Sequence, residues 1–172
     1  MRCVRDCQLA RSFSSKPVKV EAASANGPAA RGAGVAAQLR FSPAQVTLKS
    51  GDAEIVGISV EGVNDLFSIP MLLKYDPAVI QIMEVRDGGF LSGGTQAVAI
   101  VQRIDAQKGE VMISCTRGPH TAGVNGSGTI LGLVVKGVAA GDARMQIVEV
   151  QAQDSQQRSV PITFGEAAIQ VQ

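Results

Sequence analysis

The run Leu72-Leu73-Lys74-Tyr75-Asp76-Pro77-Ala78-Val79-Ile80, continuing through Gln81-Ile82-Met83-Glu84-Val85 to Gly88-Gly89-Phe90-Leu91, decides the reading of this chain. Pro77 fixes its own φ and drives Asp76 out of the helical region, so the chain turns there. Apolar residues on either side make the flanking segments two strands of one core. The second strand leads into a Gly-Gly-Phe-Leu loop.

Outward from this run, short segments recur between turn signals, the pattern of an all-β sandwich. Strands are expected at 39–41, 44–49, 54–62, 67–75, 79–86, 97–105, 109–117, 128–138, 143–151 and 160–171. Breakers such as Ser50-Gly51-Asp52, Val63-Asn64-Asp65, Gln107-Lys108-Gly109 and Asn125-Gly126 separate them. No segment carries a sustained 3.6-residue period with caps, so long helices are not expected. Alternation assigns faces. Phe67, Ile69, Met71, Leu73 and Tyr75 share one side, opposite Ser68, Pro70, Leu72 and Lys74. Val111, Ile113 and Cys115 oppose Met112, Ser114 and Thr116, while Met145 and Ile147 oppose Arg144, Gln146 and Val148. One buried face at period two is what a sandwich strand needs.

The whole chain has 172 residues, room for one domain and a tail. Residues 14–37 are rich in Ala, Gly, Ser and Pro without an apolar period. The expected division is therefore a linker or tail over 1–38 and a domain over 39–172. Residues 1–37 hold six basic against two acidic side chains, so the tail is basic and the remainder mildly acidic. The overall charge of +1 gives no field that would favour nucleic acid. Aromatics are 3% and Trp is absent, which argues against stacking on sugar rings or on single-stranded bases. Met1–Lys16 lacks the apolar stretch of a signal peptide, and no window is apolar enough to span a bilayer. Export would then need a leader upstream or a larger parent chain.

The opening run resembles the signature of cohesin domains. The likeness extends over about residues 39–172, through ordered pieces that are each short. They are Ala53–Val60 with Val63-Asn64-Asp65-Leu66, the Leu-Lys-Tyr-Asp-Pro-Ala-Val-Ile stretch, Gly89-Phe90-Leu91, Asp105 with Gly109-Glu110-Val111 and Thr116-Arg117, and Gly126–Leu131. The closing segment from Ser159 to Val171 is similar to cohesin-type domains at the C-termini of bacterial secretins. The resemblance implies a nine-stranded jelly-roll β-sandwich, related to carbohydrate-binding modules, that acts as a receptacle for a protein such as a dockerin. It also implies an extracytoplasmic setting: periplasm, cell surface or secreted. In the family the partner helix crosses the outer face of one sheet, here strands 97–105, 109–117, 67–75 and 143–151. Its outward residues would be Pro70, Leu72, Lys74, Val101, Arg103, Met112, Ser114 and Val148. Leu72, Val101, Met112 and Val148 are apolar on positions that alternation gives to solvent, a mark of an interaction surface. Dockerin-binding cohesins carry Asn or Asp ahead of the Tyr-Asp-Pro, where this chain has Ser68 and Pro70. Pro70 lacks a donor and suggests an edge or a bulge.

Catalytic motifs are weak. His120 is the lone histidine, in a Gly-Pro-His loop, and no Gly-x-Ser-x-Gly elbow accompanies it. Asp76 reads as a turn cap before Pro77, and the other acids are too scattered for a calcium loop. Gly88-Gly89 and Gly93-Gly94 lack the Lys and helix of a phosphate loop. Cys115 reads as a small core residue, and Cys3 and Cys7 without partners imply no metal. No cofactor is implied. Three classes remain: a protein-binding module, a carbohydrate-binding module linked to polysaccharide degradation, and an oligomerising sandwich whose clue would be an unpaired edge strand.

Overall fold

One strand is shared by two sheets. The computed structural model describes residues 36–172, with eleven strands and no helix among them. In chain order these are β1 (Ala37–Ser42), β2 (Gln45–Leu48), β3 (Ala53–Lys74), β4 (Ile80–Asp87), β5 (Val98–Asp105) and β6 (Glu110–Arg117). There follow β7 (Val124–Gly137), β8 (Gly141–Val150), β9 (Gln153–Asp154), β10 (Ile162–Phe164) and β11 (Glu166–Val171). The first half of β3 lies between β1 and β7, so one sheet runs β10-β1-β3-β7-β4. Its second half lies between β6 and β8, and the other sheet runs β5-β6-β3-β8-β11-β2. The core between them is aliphatic: Leu39, Ile58, Leu66, Ile69, Leu73, Ile113, Leu131, Leu133 and Met145 are all buried.

The all-β sandwich is as expected, but the divisions differ. Segments 54–62 and 67–75 are one strand, and Val63-Asn64-Asp65 is a kink within it. Gly62 (φ 67°) and Asp65 (φ 54°) adopt left-handed backbone there, and the pairing with β7 shifts register on both sides of Val63. The Asp65 carboxylate holds the kink. It accepts from the Gly123 amide at 2.9 Å and the Ser155 hydroxyl at 2.6 Å. The pairing of β3 with β9 shifts register between Leu66 and Ser68, so Leu66 is buried and Phe67 only half-buried, while Ile69, Met71, Leu73 and Tyr75 lie inward as expected. Segment 160–171 is likewise two strands, β10 parallel to β1 and β11 parallel to β2, with the change of sheet at Gly165. With the short β9 added, the count is eleven, against the ten segments read from the turn signals and the nine strands implied by the resemblance. The tail expected over 1–38 lies outside the described residues except at its end, where Ala37 and Gln38 already belong to β1. Cys3 and Cys7 also lie outside the described residues.

The Tyr-Asp-Pro run closes one end of the sandwich. Tyr75 is buried and its amide donates to the Gly109 carbonyl at 2.8 Å. Burial pushes its phenol above the usual range. Asp76 caps the turn, accepting the Ala78 amide on Oδ1 at 2.9 Å and the Ile80 amide on its carbonyl at 3.0 Å. Gly109 sits at φ 65°, and a Cβ there would collide with the Tyr75 carbonyl and come within 2.7 Å of Pro77 Cδ. A glycine is therefore required by both conformation and space.

The β9 turn is tied by Asp154. Its carboxylate accepts from the amides of Gln156 (2.8 Å) and Arg158 (2.9 Å) and from Arg158 Nε (2.7 Å). Those bonds, the Arg158 amide foremost, hold the carboxyl below its ordinary value of 3.8.

Gly109→Ala is expected to destabilise the full chain by about 1–3 kcal/mol. Gly118→Ala, where the nearest atom to an added Cβ is 3.6 Å away, serves as the neutral control. Thermal melts of both variants check this. The depressed carboxyl of Asp154 gives stability that is complete above the ordinary aspartate range and is lost as pH falls through its folded value. Asp154→Asn should therefore melt below wild type at neutral pH, and the gap should close as the pH falls through the depressed folded value.

Candidate functional site: an outer sheet face

The eight residues predicted to face outward share the outer face of the sheet built on the second half of β3. Register sets them in rows. Val101, Ser114 and Pro70 form one cross-strand row, and Arg103, Met112, Leu72 and Glu149 form the next. Rows on one face repeat about every 7 Å along the strands. Flanking rows are polar. On one side the Ser68 and Thr116 hydroxyls lie 2.9 Å apart, and on the other Lys74 pairs with Glu110 at 3.1 Å. An apolar centre with a polar rim is the layout of a protein interface.

Exposure supports this geometry. Val101 is 66% exposed, Met112 57% and Val148 46%, while Pro70, Leu72 and Ser114 are half-buried and Lys74 and Arg103 exposed. A shallow depression of about 200 Å³ opens among Pro70, Met71, Leu72, Met112, Glu149 and Gln151. Glu149 and Gln151 belong to the face although alternation did not find them. The pairing of β3 with β8 runs Leu72↔Glu149 and then Leu73↔Ile147, so β8 carries one extra residue opposite β3. This bulge turns both Val148 and Glu149 outward. The Gln151 amide group then donates to Glu149 Oε1 at 2.5 Å across the mouth of the depression.

Pro70 is neither on an edge strand nor in the bulge. The Tyr75–Gly109 bond fixes the alternation of the β3–β6 ladder and makes Pro70↔Ser114 a pair without mutual backbone bonds. The nitrogen of Pro70 therefore faces the other way, where β3 passes from β8 (Met71–Lys74) to β9 (Leu66, Ser68). Its carbonyl takes the Gln151 amide at 2.9 Å, and the missing donor falls at the handover between two strands. A proline in mid-sheet is tolerated because of that gap.

Groups with chemical potential lie elsewhere. Cys115 is fully buried in the core, and burial, with a contribution from Asp87, pushes its thiol up to about 12, so it is not a nucleophile at neutral pH. His120 lies on an exposed loop at φ 63°. Arg117, though buried, donates through Nη1 to the Leu91 carbonyl, which fastens the Gly-Gly-Phe-Leu loop to β6.

Met112→Asp should cost about 1 kcal/mol or less, the scale of a strand-propensity change on a solvent face. Ile113→Asp, one residue along and fully buried, should prevent folding, because it strands a carboxylate in an aliphatic core. Circular dichroism melts of the two full-length variants separate the faces.

No protein-family model and no curated protein sequence matches the chain. Solved structures do. A non-cellulosomal cohesin from the hyperthermophilic archaeon Archaeoglobus fulgidus superposes with a TM-score of 0.67 at 12% identity, over 80% of this chain and 92% of that one. A chain of a type I cohesin–dockerin complex from Clostridium thermocellum gives 0.67 at 12% identity, over 80% and 100%. The solution structure of the cohesin CaCohA2 from Clostridium acetobutylicum gives 0.65 at 15% identity, over 80% and 92%. At such identities the likeness is one of architecture: the described domain has the cohesin fold.

Proposed function

We propose that this domain is a non-catalytic protein-binding module whose receptor surface is the outer face of β5, β6, the second half of β3 and β8. The observation that carries the reading is the set Val101, Met112 and Val148, well exposed on one sheet face, where Met112 with Pro70 and Leu72 lines one depression. Apolar side chains held in water on a rigid sheet are a surface prepared for desolvation. Ile55 and Met83, also exposed, belong to the other sheet. Solved structures of the same fold include a cohesin of Acetivibrio cellulolyticus scaffoldin B in complex with a dockerin, and the Clostridium thermocellum complex above. The partner proposed here is a protein that presents an apolar helix face, held at an extracytoplasmic secretion or surface assembly. That setting is supported by the likeness of residues 159–171 to the C-termini of secretins. Sugar binding finds less support, because the one exposed large aromatic among the described residues, Phe164, lies on β10, away from this face.

The test uses the full chain in its producing cells with a photo-crosslinking phenylalanine in place of Met112, or of Met83 as control. A discrete protein adduct from position 112, lost on adding Leu72→Asp and absent from position 83, is expected. Absence of an adduct at 112, or equal adducts from both positions, contradicts the reading.

A further inference from the structure

The free edge of β5 is unlike the other sheet edges. β2 has four residues, with Pro43 just ahead of it, and β10 has three, preceded by Pro161. β4 is longer but carries a bulge at Met83 and the charges Glu84, Arg86 and Asp87. Short length, proline, bulges and charge are the means by which edges avoid pairing with other chains. β5 has eight residues in unbroken register with β6, and its first five, Val98-Ala99-Ile100-Val101-Gln102, hold no charge, proline or glycine.

The direction of its backbone groups follows from one bond. The Gly118 amide donates to the Ala97 carbonyl at 3.2 Å, extending the β5–β6 register by one pair. Antiparallel ladders alternate, so residues 99, 101, 103 and 105 exchange bonds with β6. Val98, Ile100, Gln102 and Ile104 then point their N–H and C=O groups away from the sheet. Among the described residues β5 pairs with no strand other than β6.

We propose that a second copy of this chain occupies that edge, β5 pairing antiparallel with β5 about a two-fold axis at Val101. This register overlaps seven of the eight residues, Val98 to Ile104. It sets Val98 opposite Ile104 of the second copy and Ile100 opposite Gln102 as the hydrogen-bonded pairs. Between them, Val101 meets its own copy and Ala99 meets Arg103 at the closely spaced non-bonded positions. The pairing is self-complementary, as a two-fold interface must be. The most exposed large hydrophobic side chain of the described residues, Val101, is covered by its own counterpart. Arg103 lays its stem over the small Ala99, and no like charges oppose each other. The pairing does not rest on the proposed partner, although Val101 and Arg103 lie on both surfaces, and it has a consequence for that face. Two such faces would lie side by side in one continuous sheet, and a dimer would offer two linked sites.

The test is sedimentation velocity on the full chain across a concentration series, with Cys3→Ser and Cys7→Ser in all variants. A concentration-dependent dimer is expected for the parent and a monomer for Gln102→Pro, whose lost N–H serves no bond within one copy. Val101→Cys should form a covalent dimer on mild oxidation, as should the Ala99→Cys/Arg103→Cys pair, whereas Arg103→Cys alone should not. A parent that stays monomeric throughout, a dimer that survives Gln102→Pro with an unchanged melting temperature, or cross-linking by Arg103→Cys as efficient as by Val101→Cys overturns the proposal. So does capture of an extended segment of another protein by the β5 edge in place of self-pairing.

Discussion

A single strand cannot serve two sheets and stay straight, and the rest of this domain follows from how β3 meets that constraint. The bend falls at residues 62–65, where Gly62 and Asp65 take left-handed backbone. Asp65 can hold that conformation because its carboxylate collects a bond from Gly123 in one loop and from Ser155 in another. Gly123 must be glycine for the approach, since a Cβ would overlap the Asp65 main chain and carboxylate. Beyond the bend, β3 changes neighbours from β1 and β7 to β6 and β8. Its outward residues Pro70, Leu72 and Lys74 then belong to the second sheet.

That change of neighbours also fixes the character of the candidate surface. Pro70 stands at the seam between β8 and β9, where a missing donor costs no ladder bond, and its ring forms one wall of the depression. The bulge in β8 turns two consecutive residues outward, and the second of them forms the other wall. One is apolar, Val148, and one is charged, Glu149. The rim beyond them is fastened by Ser68 with Thr116 and Lys74 with Glu110, the latter an exposed pair of small energetic worth. The face is thus rigid backbone with an uncompensated apolar centre, a poor arrangement for a solitary domain and a good one for a receptor.

Much of this was legible in the chain. Asp-Pro announces its own turn, and strict alternation in 109–117 separates Met112 and Ser114 from Val111, Ile113 and Cys115 without ambiguity. What alternation cannot see is a change of phase. The register shift between Leu66 and Ser68 put Leu66 in the core and left Phe67 half-buried, and the bulge brought Glu149 to the surface beside Val148. At the bulge a single residue out of step reverses the faces beyond it. Gly165 hid a change of sheet for a similar reason, because two short strands in line read as one long one. The Tyr75 and Gly109 partnership was visible as two separate motif fragments. Its cause, a carbonyl packed where a Cβ would sit, is a fact of tertiary contact.

The methionines provide natural reporters of the central claim. Met112 lies on the proposed receptor face, Met83 on the other sheet, and Met71 and Met145 are buried between the two. The decisive measurement is the methyl NMR spectrum of methionine-labelled full chain, titrated with the captured partner protein. The Met112 resonance is expected to shift or broaden on addition while Met83 holds its position. A response confined to Met83, with Met112 unchanged in a saturated complex, would contradict it.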